Sequence, residues 1–274
     1  MDREYLATGF ADVDRTQNKE DYFSCLALLD SLPYYRGYKT RSYDLLDLGP
    51  GMAVLDAGCG LGDDAVRMAR RVSPGGRVIG LDASGAMIEK ARANPLCGAL
   101  PVEFLKGDVK ALPFADESFA RCRIDRTLQH LSNPQKAIDE LVRVLKPCGR
   151  LLAYDNDWDS FSITPGDPDV TATIIRLWRG SFPNAAAGRL LPEMFIAAGL
   201  KDVKTYSGMS VVTDFHKANQ IYNLDETVDK AVAAGLITPS RGRAWLADLA
   251  AGAAQGFLIA SLTASTVIGE KDKE

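Results

Sequence analysis

An α/β fold, with a mostly parallel sheet flanked by helices on both faces, is predicted by three observations. Between residues 53 and 156, strand-like and helix-like segments alternate, the pattern of successive βαβ crossovers. The apolar run Val54-Leu55-Asp56 turns through glycines at alternate positions, Gly58, Gly60 and Gly62, and enters a helical pattern. Successive strand-like runs end on acids: Asp56, Asp82, Gly107-Asp108, Asp125 and Asp155. Polar groups are thereby gathered along the carboxyl edge of the sheet, where open α/β sheets bind ligands.

Each element has its own signal. Residues 1 to about 47 read as polar-aromatic helices carrying Tyr5, Phe10, Tyr22, Phe23, Tyr34, Tyr35, Tyr38 and Tyr43. Val54–Asp56 is a strand and Asp63–Val72 a helix; Pro74-Gly75-Gly76 turns the chain into a second strand, Arg77–Leu81. Ala86–Asn94 is helical, Val102–Lys106 a third strand and Ala120–Ile124 a fourth. Pro134–Leu145 spaces Ala137, Ile138, Leu141, Val142 and Leu145 as one helical face. It stops at Lys146-Pro147-Cys148-Gly149, and Arg150–Tyr154 is the fifth strand. Beyond Asp155 the alternation loosens. Asp157–Pro168 reads as a loop rich in Asp and Pro, Val170–Phe182 and Leu190–Ala198 as helices, and Val203–Tyr206 as extended. Lys217–Ala234 and Ser240–Ala254 read as helices before a last β-like run, Phe257–Ile268.

The chain has 274 residues, 46% hydrophobic and 25% charged, enough for one large domain or a core with a lid. Its net charge is −4 with no long basic run, which argues against a nucleic-acid partner. Cys25, Cys59, Cys97, Cys122 and Cys148 are scattered singly and suit a reducing compartment. The start, Met1-Asp2-Arg3-Glu4, lacks the basic flank and apolar run of a signal peptide. No apolar stretch reaches the roughly 20 residues that span a bilayer. A cytoplasmic protein without a membrane span, monomeric or homodimeric, is expected.

The glycine loop is G-x-G-x-G after an acid, whereas the dinucleotide fingerprint is G-x-G-x-x-G. A third glycine at dinucleotide spacing is lacking, with Asp63, Asp64 and Ala65 following Gly62. The loop alone leaves both nicotinamide and other nucleotide-like ligands open. Asp82 lies 24 residues after Gly58, the spacing at which an acid accepts ribose hydroxyls in such units.

Together, Val54–Asp64, Asp82, Gly107-Asp108-Val109 and the Leu145-Lys-Pro-x-Gly149 run resemble class I S-adenosylmethionine (SAM)-dependent methyltransferases, strongly over residues 45–156. The general likeness is to the ubiquinone/menaquinone-biosynthesis type and its relatives in secondary metabolism. The resemblance implies a Rossmann-like seven-stranded, mostly parallel sheet whose seventh strand lies antiparallel. It implies a helical cap over 1–47, a SAM-binding core over 48–156, and completion of the sheet over 157–274 with lid segments near 157–188 and 216–254. The cofactor implied is SAM, with S-adenosylhomocysteine as product. Gly58, Gly60 and Gly62 would donate backbone N–H groups to its carboxylate, and Asp56 would place its ammonium. Asp82 and Ala83 would meet the ribose, Met87 would flank the adenine, and Gly107, Asp108 and Val109 would receive the adenine edge. Asp125, Arg126 and, upstream, Arg41 would lie at the amino-acid end.

Methyl transfer from a sulfonium needs proximity first, and a base only if the acceptor holds its proton. His130, with Asp155 to orient or assist it, is the candidate base, and the same histidine also reads as a packing residue. His216 reads as a lid residue. With two histidines and no paired cysteines a zinc site is not expected, and the acids Asp155, Asp157 and Asp159 read either as a hard-cation site or as turn and cap residues. Trp158, Trp178, Phe182, Phe215, Tyr222 and Trp245 in the lids suit a small, partly apolar acceptor methylated on O, N or C. Two other readings stay open: a SAM-binding cyclase or rearrangement enzyme without net transfer, and a non-catalytic SAM-binding module.

Overall fold

The computed structural model describes residues 6–273, so Tyr5 and the Met1–Glu4 start lie outside the described residues. Helices α1 (Leu6–Gly9), α2 (Lys19–Ser31) and α3 (Pro33–Leu45) precede the core. The core then alternates through β1 (Ala53–Ala57), α4 (Asp63–Val72), β2 (Arg77–Asp82), α5 (Gly85–Arg92), β3 (Val102–Lys106), β4 (Phe119–Asp125), α6 (Pro134–Val144) and β5 (Leu145–Thr164). It is completed by α7 (Pro168–Arg179), α8 (Ala187–Ala197), β6 (Lys201–Val212), α9 (Phe215–Tyr222), α10 (Leu224–Ala233), α11 (Pro239–Ala254) and β7 (Ile259–Glu270).

The seven strands form one sheet in the order β3-β2-β1-β4-β5-β7-β6. β1 to β5 pair in parallel, while β7 runs antiparallel to both neighbours. The chain moves outward from β1 to β3, then returns to the other side of β1 as β4, so the order reverses between β1 and β4. Loops diverge at such a point and leave a crevice. The register sets Asp56 of β1 beside Gly80 of β2 and Arg123 of β4, and Asp125 beside Tyr154 of β5.

Local chemistry explains the crossovers. α4 carries Asp63 and Asp64 in its first turn and Arg70 and Arg71 in its last, each opposing the helix dipole. Ser84 caps α5 by accepting the Met87 N–H at 3.1 Å. α6 starts with Asn133 as cap and Pro134 in its first turn, where a missing N–H costs nothing. Alternation along β1 sends Val54 to the face covered by α4 and Leu55 to the face with Ile138, Leu141 and Phe195 from α6 and α8. A third apolar cluster gathers Tyr22, Trp158, Trp178, Phe182, Tyr222 and Trp245 from the opening helices and the inserted ones.

Three expectations change. Asp157–Pro168 is mostly strand rather than loop: Ser162, Ile163 and Thr164 of β5 pair with Ser261, Ala260 and Ile259 of β7 after a register shift. Its acids hid a strand whose Trp158, Phe161 and Ile163 are buried in the lid cluster. Val203–Tyr206 lies in the first half of a longer strand, β6. The single helix read over Lys217–Ala234 is broken at Asn223, whose φ of 47° ends α9; asparagine enters that left-handed region more readily than most residues. Among the described residues no helix is long and apolar enough to cross a membrane.

Candidate active site

A cavity opens at the carboxyl ends of β1, β2 and β4, beneath the opening helices and the inserted ones. Of the residues singled out by the sequence, Asp56, Gly58, Gly60, Gly62, Asp82, Ala83, Met87, Asp108, Val109, Asp125, Arg126 and His130 line it. Gly107, Arg41 and Asp155 do not.

The glycine loop does its work through shape. Gly58, Gly60 and Gly62 have φ of 72°, 52° and 79°, a region that penalises a Cβ. A Cβ on Gly58 would also stand 2.1 Å from Thr127 Oγ1. The expected amide donation by the glycines is not available, because their N–H groups are already spent. Gly58 and Cys59 N–H donate to Leu81 O, Gly60 N–H to Asp82 Oδ2, and Gly62 N–H to Cys59 O. Asp82 thus accepts Gly60 N–H and Ser84 N–H, one on each oxygen and both at 2.9 Å, which leaves each oxygen a lone pair for the cavity. Burial raises its pKa above the ordinary carboxylate value. Gly107 serves packing instead, since a Cβ there would meet Leu81 Cδ1 at 2.8 Å.

The floor is a charge network that the sequence reading missed. Arg123, 1% exposed, reaches Asp56 Oδ1 at 3.1 Å, Asp64 Oδ2 at 3.4 Å, Ser42 Oγ at 3.3 Å and also Asp125. Burial opposes its charge, yet Asp64, Asp125 and Asp56 hold its pKa well above the usual value. Lys39 joins Asp30 and Asp64 at 3.0 and 2.9 Å. Tyr38 donates to both oxygens of Asp125 and stacks on Tyr154 with centroids 3.7 Å apart. The available signal was Arg123 set between Cys122 and Ile124, two residues before the strand-end acid Asp125. Arg41 points elsewhere: it is exposed, and its guanidinium rests 4.5 Å from the Tyr206 ring centroid. Lys39, two residues earlier on α3, is the cation that this helix sends to the cavity.

Asp56 fits a cationic ligand. It is 1% exposed, and its Oδ2 has no hydrogen-bond partner among the described residues. Burial pushes its pKa up to about 7. Seven aspartates line the cavity (Asp30, Asp56, Asp63, Asp64, Asp82, Asp108, Asp125) against three basic groups (Lys39, Arg123, Arg126). An orphaned buried acceptor and an acid surplus match a ligand that brings an ammonium and a sulfonium.

His130 and Asp155 do not form a base pair. Asp155 is fully buried; its oxygens accept Asn156 N–H at 2.9 Å and Gln129 N–H at 3.1 Å, and burial pushes its pKa up to about 7. It acts on Gln129, whose Nε2 stands 3.0 Å from His130 Nε2. The imidazole lies between Phe10 and Phe182, with centroids 5.7 and 5.6 Å away. Burial, helped by the charge of Arg126, lowers its pKa to about 3, so it is neutral at pH 7. Arg126 adopts φ 50°, a strained value for a long side chain, and sits 5.4 Å from the Tyr35 centroid.

Beyond His130 the wall turns apolar and aromatic through Phe10, Trp158, Trp178, Phe182 and Tyr222. Phe182 stacks on Trp158 with centroids 4.4 Å apart and planes 13° from parallel. Of the other aromatics named from the sequence, Trp245 is buried behind this wall and donates to Thr171 Oγ1 at 2.8 Å, while Phe215 and the exposed His216 lie outside the cavity. Asp157 and Asp159 are held by Arg189, and Asp159 also by Arg179. Among the described residues no three His, Cys, Asp or Glu side chains group to hold an ion. Asp14, between α1 and α2, fastens the opening segment to the start of α5 and to β3: it accepts from Ser84 Oγ at 2.7 Å, Gly85 N–H at 2.8 Å, Ala86 N–H at 3.1 Å and Lys106 Nζ at 2.7 Å.

Comparison with known proteins bears on this geometry. Residues 48–179 match a family model described as a methyltransferase domain. An uncharacterized 37.1 kDa protein in transposon TN4556 of Streptomyces fradiae is 39% identical over 233 residues, 84% of this chain and 66% of that protein. The demethylmenaquinone methyltransferase of Desulfitobacterium hafniense is 30% identical over 162 residues, 56% of this chain and 64% of that protein. The chain thus spans just under two thirds of the length of these two curated relatives. The crystal structure of the YcgJ protein from Bacillus subtilis shares the fold, with a TM-score of 0.63 at 23% identity over 87% of this chain and 100% of that one.

Proposed function

We propose, for a chain that belongs to the class I SAM-dependent methyltransferases, that it binds SAM at the Gly58–Gly62 loop and methylates a small organic acceptor. The observation that carries this is the pairing, in one cavity, of the orphaned Asp56 oxygen and acid-rich floor with an aromatic far wall. When bound, SAM supplies a methyl group made electrophilic by its sulfonium. The protein's own part is binding and alignment. Asp56, with Asp125 beside it, takes the ammonium; Arg126 takes the carboxylate in place of the glycine amides; and Asp82 takes the ribose hydroxyls. Met87, Asp108 and Val109 flank the adenine. Arg123 keeps Asp56, Asp64 and Asp125 ordered without contributing to the reacting atoms.

The acceptor sits against Phe10, Trp158 and Phe182, beyond the reach of the acids. The large aromatic wall favours a compact specialised metabolite. In this reading, residues 48–156 hold the donor, while the 1–47 cap and the 157–188 and 216–254 segments hold the acceptor. The enzyme works in the cytoplasm as a monomer or homodimer. Incubation with methyl-labelled SAM and a small-molecule extract of the producing cells tests the proposal. Label should appear in one organic product with an equal amount of S-adenosylhomocysteine. A compound converted without label or S-adenosylhomocysteine would instead mark a cyclisation or rearrangement.

A further inference from the structure

Asp14 does not line the cavity, yet it joins two parts of the chain that do. Its Oδ1 accepts from Ser84 Oγ and Ala86 N–H, and its Oδ2 from Gly85 N–H and Lys106 Nζ. Each carboxylate oxygen is thus engaged twice, by donors from the start of α5 and the end of β3. Ser84, 7% exposed, passes the contact inward. Its hydroxyl donates to Asp14 while accepting Met87 N–H, and its own N–H holds Asp82 Oδ1 at 2.9 Å. In the other direction, Asp14 belongs to the segment whose Leu6, Ala7, Phe10 and Val13 line the cavity. Phe10 reaches the aromatic wall, its ring 5.7 Å from that of His130. The backbone N–H groups of Ala11, Asp12, Arg15 and Thr16 bond to carbonyls of the same segment, so they do not tie it to the sheet. Contacts therefore run from Asp82 through Ser84 and Asp14 to Val13 and Phe10.

We propose that Asp14 is a positioning residue that couples the acid-rich half of the cavity to its aromatic half. A ligand held by Asp82 fastens the opening segment, and a fastened segment holds Asp82 in place. The proposal rests on the reading of the acid-rich half as the SAM site. Its physical basis is preorganisation. A ribose on Asp82 orders the Ser84–Gly85–Ala86 turn, whose three donors then meet Asp14 without further loss of freedom. The ligand also favours the fastened state directly, because Val13 lines the cavity from the segment's side and Ala83 from the other. Phe10 is thereby set against the far wall when the cofactor is in place. The acceptor meets a finished pocket only after SAM has bound.

The test combines hydrogen–deuterium exchange with isothermal titration, using the full chain and S-adenosylhomocysteine as the probe. In the unaltered protein the probe should slow amide exchange over residues 6–16 by about tenfold, the scale of one charge-assisted hydrogen bond. Coupling is reciprocal, so Asp14→Ala should bind the probe about tenfold more weakly. In that variant, exchange over 6–16 should be fast and should change by less than about twofold when the probe is added. Asp14→Asn matches the carboxylate in size but brings an NH2 group against donors, so it should behave like Asp14→Ala. Asp12→Ala, on the same segment but paired with Arg15, should resemble the unaltered protein. Probe binding that leaves exchange over 6–16 unchanged overturns the coupling alone. So does an equal affinity in Asp14→Ala, or faster exchange spread evenly through β1 and β4. If neither the probe nor SAM binds the unaltered protein, the SAM reading falls and the coupling falls with it.

Discussion

Asp56 and His130 differ in chemistry but share a condition: each keeps one polar atom buried without a partner at the cavity wall. The sequence placed both at the site, because each follows or ends a strand at the carboxyl edge. It did not show their protonation, which depends for Asp56 on Arg123, 67 residues along the chain, and for His130 on the adjacent Gln129 as Trp158 and Asn156 orient its amide. For His130 the consequence is measurable. Its pKa falls from 6.5 to about 3 on folding, so between those values the unfolded chain binds a proton that the folded chain refuses. Stability is therefore gained as pH rises through this window and lost as pH falls. Relative to His130→Phe, which has nothing to titrate, the wild-type protein should lose stability on acidification from pH 6 to pH 4. The slope should reach up to about 1.4 kcal/mol per pH unit. Urea midpoints of the two proteins measured in parallel check this; midpoints that shift together would show that His130 is not held neutral by the fold.

At the scale of elements, β4 is the strand that ties the site together. Arg123 extends from it to Asp56 on β1, to Asp64 on α4 and to Ser42 on α3. Removing a buried charge leaves its partners uncompensated, typically at a cost of about 3–5 kcal/mol. Arg123→Met should therefore destabilise the protein by about that amount, read as a fall in the denaturant midpoint. A change under about 1 kcal/mol would mean that the three aspartates find other partners. The strands and crossover helices of residues 53–156 were legible because period and punctuation agree: Asp63–Val72 and Val102–Lys106 have the predicted ends. The extension of β5 was not, because Asp157 and Asp159 read as turn residues until Arg179 and Arg189 are seen to neutralise them. The break at Asn223 was equally hidden, since no glycine or proline punctuates the run from Lys217 to Ala234.

For the whole molecule, the acid-rich half of the cavity was visible in sequence and the aromatic half was not. The acid-rich half rests on four acids that end or follow strands, Asp56, Asp82, Asp108 and Asp125, and on one glycine loop, all within the parallel core. The aromatic half is assembled from Phe10 near the start, Trp158 and Phe182 in the middle and Tyr222 late in the chain, and no local pattern brings these together. The opening segment is fastened to the start of α5 by Asp14, whose carboxyl is held well below the usual range by Lys106, Ser84 and the α5 amides although burial works against it. The acid-rich floor makes one proposal central: the cavity takes SAM, through Asp82 and Asp56, and not a nicotinamide dinucleotide. Isothermal titration of the protein with SAM and with NAD tests that claim most directly. The account predicts one SAM bound per chain, no heat with NAD, and at least about a tenfold weaker affinity for SAM in Asp82→Ala, where a charge-assisted pair is lost. Binding of NAD in place of SAM, or SAM affinity unchanged by Asp82→Ala, would contradict it.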